Sequence, residues 1–337
     1  MLGSTDRLWK GLIAVTVGFF LFSSNGHAAE KLKLTMAATS ANYSPYFVAI
    51  EKGYFAKEGF DVEIVKAGGG TATPALMSGS IDASTSGSSA ESAILKGAPL
   101  EIVFVPWDRP TYQIWSTRPD IKTVEDMKGK QVGIQTRGDT FEIAVRIVLK
   151  NRGMDPNSVG YTPLGYGGGR MAAIKSGSLP VVVLSQIDVS RPALAGALKK
   201  GHLLVDTFNE VKMPYTGIAV SDKAIASDRA RVKRLVKACL KGLAYASAFR
   251  DETIAIIMKY SKAPKEAATA DYDSVVIKSR TKDGTIDEKT QQTEVELRAS
   301  LVHLAADRIP PLKNVFDFSM AREANNELKA EGWKPTR

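Results

Sequence analysis

Apolar and polar positions along this chain keep two periods that alternate with each other. Lys31-Leu32-Lys33-Leu34-Thr35-Met36-Ala37 follows the two-residue period of a half-buried strand. Ser44-Pro45-Tyr46-Phe47-Val48-Ala49-Ile50-Glu51-Lys52-Gly53 then reads as a short helix, with Ser44 as N-cap, Pro45 in the first turn and Gly53 past the end. Further strands are predicted at 61–65, 81–84 and 100–105, separated by helices at about 73–77 and 89–95. Strands that alternate with single helices at such short intervals imply a mostly parallel sheet.

The pattern then restarts. A short helix at 123–130, a strand at 131–134, an amphipathic helix at 141–151 closed by Gly153 and a strand at 159–163 follow in turn. Val181-Val182-Val183-Leu184 has the unbroken apolarity of a fully buried strand. The restart is also visible in the letters. Ala67-Gly68-Gly69-Gly70-Thr71 precedes Ser78-Gly79-Ser80, and Gly167-Gly168-Gly169-Arg170 precedes Ser176-Gly177-Ser178, an offset of 98 residues (176 less 78) that sets Leu76 on Ile174. One recurrence at that distance points to two related α/β lobes rather than a solenoid, whose repeats are far shorter.

Beyond Ser221 helical periods dominate, at 230–250, 251–260, 265–271 and 291–306. Connections between lobes are expected near 115–120 and 214–220. Lobe 1 would then be discontinuous, 30–116 plus 218–337, and would enclose lobe 2 at 117–217. Two crossings make a hinge, because a few residues in each can absorb a closing rotation. The fold class is therefore α/β, two-lobed, with mostly parallel sheets flanked by helices.

Residues 1–29 fall outside this scheme. Arg7 and Lys10 precede the apolar run Gly11-Leu12-Ile13-Ala14-Val15-Thr16-Val17-Gly18-Phe19-Phe20-Leu21-Phe22, and small residues through Ala28-Ala29 follow. That is the order of a secretory leader cut near Ala28 or Ala29, and the run is short of the ~20 residues that span a bilayer. An exported protein is expected. Cys239 is the only cysteine, so no internal disulfide can form, and its place in an apolar helical pattern makes it a core residue. The formal charge of +9 is spread among acids without a basic block or aromatic stripe, which argues against nucleic acid.

In an open parallel sheet the ligand lies beyond the carboxyl ends of the strands, where loops enter helices. That rule selects Tyr43, Ser44 and Tyr46 after the first strand. It also selects Gly70 and Thr71 in the glycine loop, whose amides a ligand can approach closely, and Ser86 and Gly87 in the run Ser84-Thr85-Ser86-Gly87-Ser88-Ser89. In the second lobe it selects Arg137 and Thr140 in Gln135-Thr136-Arg137-Gly138-Asp139-Thr140, and Gln186 after the strand at 181–184. Arg137 has the planar fork that clamps a carboxylate, sulfonate or phosphate, with Arg109 and Arg170 as lesser candidates. Trp107 could supply a flat wall. The plain alternatives are that Ser44 and the serine run only cap helices, that Arg137 pairs with Asp139 or Glu142, and that the aromatic rings only pack. No metal-ligand spacing, Walker loop or G-x-S-x-G occurs, and the three histidines stand in no catalytic motif. No catalytic residue, metal or cofactor is expected.

Tyr43-Ser44-Pro45-Tyr46-Phe47-Val48-Ala49-Ile50-Glu51-Lys52-Gly53-Tyr54-Phe55-Ala56-Lys57-Glu58-Gly59-Phe60-Asp61-Val62 resembles the opening of periplasmic solute-binding proteins of the nitrate/sulfonate/taurine and thiamine-precursor type. So do Ala75-Leu76-Met77-Ser78-Gly79-Ser80-Ile81-Asp82-Ala83, residues 123–133 and Arg152-Gly153-Met154-Asp155-Pro156. The chain departs from the family where Leu179-Pro180-Val181 replaces an Asp-Ala in the second lobe. The resemblance implies a type II periplasmic binding fold and a monomer that is not an enzyme. Such a protein hands its solute to an ABC permease and its ATPase. The resemblance is not specific for the ligand; it is the amides, hydroxyls and Arg137 that point to a small, anionic organic solute. The resemblance also implies ligand contacts around Tyr43, Thr71, Ser86, Arg137 and Gln186. The alternatives it leaves are a thiamine-pyrimidine precursor protein, for binding or synthesis, and a sensory binding protein without a transport role.

Overall fold

The fold is that of a computed structural model, which describes residues 29–165, 168–189 and 192–337. The leader expectation and Gly167 lie outside the described residues. In chain order the strands are β1 (Glu30–Met36), β2 (Phe60–Lys66), β3 (Ala83–Ser84), β4 (Leu100–Phe104), β5 (Tyr112–Ser116), β6 (Gln131–Ile134), β7 (Gly160–Pro163), β8 (Val181–Ser185), β9 (His202–Asp206) and β10 (Ile218–Ser221).

They form two sheets, ordered β2-β1-β3-β10-β4 and β7-β6-β8-β5-β9. In the first, β1 is parallel to β2 and β3, while β10 runs antiparallel to β3 and β4. In the second, β6 is parallel to β7 and β8, and β5 is antiparallel to β8 and β9. Four strands of each sheet thus share a direction, and the exception is the strand that has just crossed from the other lobe.

β5 corrects the expected boundary. The reading of 30–116 as lobe 1 placed the first crossing near 115–120, yet Tyr112–Ser116 pairs along its length with β8 and β9. The crossings are therefore residues 105–111 and 207–217. They are zipped together, with the Tyr215 amide donating to the Trp107 carbonyl at 2.9 Å and the Met213 amide to the Asp108 carbonyl at 2.9 Å. Thr216, in the second crossing, holds a left-handed backbone at φ 58°, a conformation costly for a β-branched residue.

The core follows from the strand patterns. Leu32, Leu34 and Met36 of β1 are buried while Lys31 and Lys33 are exposed, and Val181–Leu184 of β8 is wholly enclosed. Helix Asp222–Ala248 packs on helix Ser44–Glu51, where a Cβ on Gly242 would lie 2.0 Å from the Pro45 carbonyl oxygen. Only glycine permits that approach. Helix Ser319–Ala330 closes the other side through Arg229–Glu323 and Lys237–Glu331 ion pairs, each at 2.7 Å. Ser44 is not the N-cap: Tyr43 is, Ser44 is the first helical residue, and the Ser44 hydroxyl is buried without a hydrogen-bond partner. Among the described residues no helix is long and apolar enough to cross a membrane.

Candidate functional site

The two lobes enclose a cleft of about 660 Å³. Lobe 1 lines it with the start of helix Gly69–Met77 and with Ser89, Ser92 and Lys96, on and just beyond helix Gly87–Ile94. Lobe 2 lines it with Thr136, Arg137, Gly138 and Asp139, the loop between β6 and helix Thr140–Asn151. The glycine run is not a free loop before a helix at 73–77, as the sequence suggested. Gly68 is the N-cap and Gly69 the first helical residue, so the amides without upstream helical carbonyls face the cleft.

The loop in lobe 2 is built by Asp139. Its carboxylate accepts from the Phe141 and Glu142 amides at 3.0 and 3.1 Å and from the Thr136 amide at 2.8 Å. Burial holds this carboxyl above its usual range against the pull of those bonds. Asp139 is therefore occupied by its own backbone. Arg137 is left half exposed, with its guanidinium 3.5 Å from the Glu142 carboxylate and 5.3 Å from the Tyr161 ring. Glu142 is already held by Arg146 at 2.8 Å, so it competes weakly for Arg137. With Lys96 on the facing lobe, the cleft presents two cations and a helix N-terminus, a setting that favours an anion.

Of the residues expected to touch ligand, Gly70, Thr71 and Arg137 line this cleft. The others lie elsewhere, because the rings that follow the strand ends are consumed in packing. Tyr43, Ser44 and Tyr46 are buried within lobe 1. Trp107 is enclosed in the first crossing, where its indole N–H donates to the Asn42 carbonyl at 2.8 Å. Thr140 shares a hydroxyl–hydroxyl bond of 2.5 Å with Tyr112, which stacks on Phe141 at 4.1 Å and meets Tyr215 edge-on at 5.4 Å. Ser86 bridges to Gly217, and a Cβ on Gly87 would sit 3.3 Å from the same glycine, so both belong to the hinge seam. Gln186 is tied through its backbone N–H to the Thr111 carbonyl at 2.8 Å.

Ser92 and Lys96 also line the cleft and were not among the expected residues. The clue was their spacing: positions 89, 92 and 96 fall on one helical face, but such a stripe is also what an ordinary solvated face shows. Among the described residues no group of three or more His, Cys, Asp or Glu could hold a metal ion.

The NMT1/THI5-like family model matches residues 40–253. The chain belongs to that family. The riboflavin-binding protein RibY of Chloroflexus aurantiacus is 28% identical over 229 residues, which are 65% of this chain and 62% of that protein. This family member thus aligns with less than two thirds of that relative. Among solved structures, the periplasmic aliphatic sulphonate binding protein SsuA of Escherichia coli superposes with a TM-score of 0.68 at 18% identity, covering 91% of this chain and 93% of SsuA. The periplasmic nitrate-binding protein NrtA of Synechocystis PCC 6803 gives 0.66 at 16% identity, covering 90% and 89%. These are binding proteins of the two-lobed type II fold, and at such identities they establish the architecture shared with this chain, not its ligand.

Proposed function

We propose that this protein is the exported solute-binding component of an ABC importer. It captures a small anionic organic solute, sulfonate- or carboxylate-like, in the inter-lobe cleft. The observation that carries this reading is the pairing of a helix N-terminus on one lobe with Arg137 on the other across a single opening. Amides of Gly69 and Gly70 and the Thr71 hydroxyl hold one end of the solute; Arg137 and Lys96 balance its charge. No bond is made or broken. Closure presents a changed lobe surface to the permease, whose ATPase powers release.

The likeness to RibY supports a second reading, a flat heteroaromatic solute of flavin or pyrimidine type. The cleft lining named above contains no aromatic ring, which favours the anion.

A thermal-shift and calorimetric screen of the purified protein separates the two. It should include alkanesulfonates, nitrate, aliphatic and aromatic carboxylates, pyrimidines and riboflavin. At about 100 times Kd a true solute stabilises by about 2.7 kcal/mol and raises the melting temperature by several degrees. Arg137→Ala should weaken an anionic hit by roughly tenfold, the worth of one exposed charge-assisted hydrogen bond. Binding of riboflavin alone, an anion insensitive to Arg137→Ala, or turnover of the hit would each overturn the proposal.

A further inference from the structure

Behind the cleft lies a buried ionic cluster that no solute contact requires. Arg298, on helix Glu288–Leu301 of lobe 1, is 99% enclosed. Its guanidinium bonds to both lobes. Nε donates to Glu294 at 2.7 Å and lies 3.2 Å from the Glu91 carboxylate. Nη2 donates to the Ser88 hydroxyl at 2.8 Å. Nη1 also reaches across the lobes, donating to the carbonyl of Gly138 in lobe 2 at 2.9 Å. That carbonyl belongs to the residue next to Arg137.

We propose that Arg298 is the positioning residue of the solute cleft, a guanidinium anchored in lobe 1 that draws the loop 136–139 of lobe 2 into place through the Gly138 carbonyl. This rests on the reading of the cleft as the solute site. The bond suits a reversible role. Nη1 also reaches the Ser88 carbonyl at 3.1 Å and the Ser92 hydroxyl at 3.0 Å, so when the lobes part its donors keep partners inside lobe 1. An arginine left with unmet donors would make opening far costlier; here opening gives up only the bond to Gly138. The cluster is also close to neutral. Burial holds the carboxyls of both Glu91 and Glu294 above their usual range, so the two acids around Arg298 do not both carry full charge. The same helix makes two looser contacts across the lobes, Glu296 with Lys150 at 4.0 Å and Asp287 with Lys212, on the second crossing, at 3.6 Å. Both are exposed, and exposed pairs hold little.

The test is made without any solute, so its outcome is independent of whether the proposed ligand class is right. Spin labels at Lys66→Cys in lobe 1 and Lys175→Cys in lobe 2 report the inter-lobe distance, while the buried Cys239 stays unlabelled. Arg298→Lys keeps the charge beside Glu294 but has no fork to reach Gly138. The ratio of short to long distances should fall by at least about fivefold, with the melting temperature held within a few degrees. If Arg298→Lys does not fold, Arg298→Met with Glu294→Leu removes the pair without stranding a charge, a replacement that buried ion pairs commonly tolerate. It should show the same shift toward long distances. A folded variant of either kind with the parent's distance distribution would overturn the proposal.

Discussion

Gly69 and Gly70 are neighbours at the start of one helix, yet alanine at the two positions should act in opposite directions. A Cβ on Gly69 would stand 1.8 Å from Ser89 Oγ and 2.4 Å from Ser89 Cβ. A change of rotamer moves the hydroxyl away but not the Cβ, which is fixed by the backbone of helix Gly87–Ile94. The two helices must therefore separate by about an ångström at the base of the cleft. Overpacking of that kind costs roughly 1–3 kcal/mol. A Cβ on Gly70 meets nothing within 4 Å, and alanine within a helix is worth about 0.5–1 kcal/mol over glycine through the unfolded chain. The same gain applies at Gly69, so the variants should differ by the overpacking alone, about 1–3 kcal/mol, or several degrees in melting temperature. Urea and thermal melts of Gly69→Ala and Gly70→Ala beside the parent measure this. In the solute assay both should lose affinity, Gly69→Ala by displacing the amides and Gly70→Ala by placing a methyl in the opening. Shifts of the same sign in the two melts would refute the packing argument, since it depends on Ser89 alone.

A pH series offers a second check. The half-buried Glu101 carboxyl of β4 is pushed up to about 7 by burial, with Asp317 and Asp222 adding to it. Between its ordinary value of 4.5 and about 7 the folded state holds a proton that the unfolded chain releases, so stability falls as pH rises through that window. Glu101→Gln should be more stable than the parent at pH 8, by about 1 kcal/mol after allowing for solvent screening, with the gain gone at pH 4; a gain that persists at pH 4 would contradict it. Cys239 is fully enclosed and its thiol is pushed well up by burial, so an alkylating reagent should label it only in denaturant. Labelling of the native protein would show that helix Asp222–Ala248 does not pack as described.

Much of this architecture could be read from the chain because burial and period agree in it. Val181-Val182-Val183-Leu184 was read as a buried strand and is one, and the alternation of Lys31, Leu32, Lys33 and Leu34 is the register of β1. β5 was lost for a physical reason. Its buried positions are Tyr112, Ile114 and Ser116 and its half-exposed ones Gln113 and Trp115, so residue hydrophobicity does not track the alternation. A strand that crosses from one lobe to the other also carries no local mark of which sheet it joins. The site was legible only where backbone geometry makes it. The glycine run marked where free amides lie, although the helix was expected only from about 73 and starts at Gly69. Tyr43, Trp107 and Thr140 sit next to strand ends as ligand-binding residues would and are buried by packing. Arg298 was invisible because its partners Ser88, Ser92 and Gly138 are brought to it only by the fold, while its spacing from Glu294 is that of any surface ion pair.

The internal repeat explains why the cleft is built unevenly. The offset of 98 carries β3 at Ala83 onto β8 at Val181 and Leu76 onto Ile174, both buried, and the two sheets have equivalent strand orders. The glycine turns, however, have parted in role. Gly69, Gly70 and Thr71 line the cleft, whereas helix Gly168–Ser176 leads into Arg170, which is enclosed, paired with Asp188 at 2.8 Å and laid over the Phe141 ring. An arginine so neutralised has little charge to offer a solute. Arg109 is likewise engaged, 5.3 Å from the Phe208 ring and donating to the Phe208 carbonyl at 3.3 Å. Of the three arginines weighed from the sequence, Arg137 alone lines the cleft, and it comes from the loop after β6, the counterpart of the loop after β1. The second lobe thus supplies its charge one loop away from where the repeat alone would place it, which is why its arginine and the glycine helix of the first lobe can meet the two ends of one small molecule.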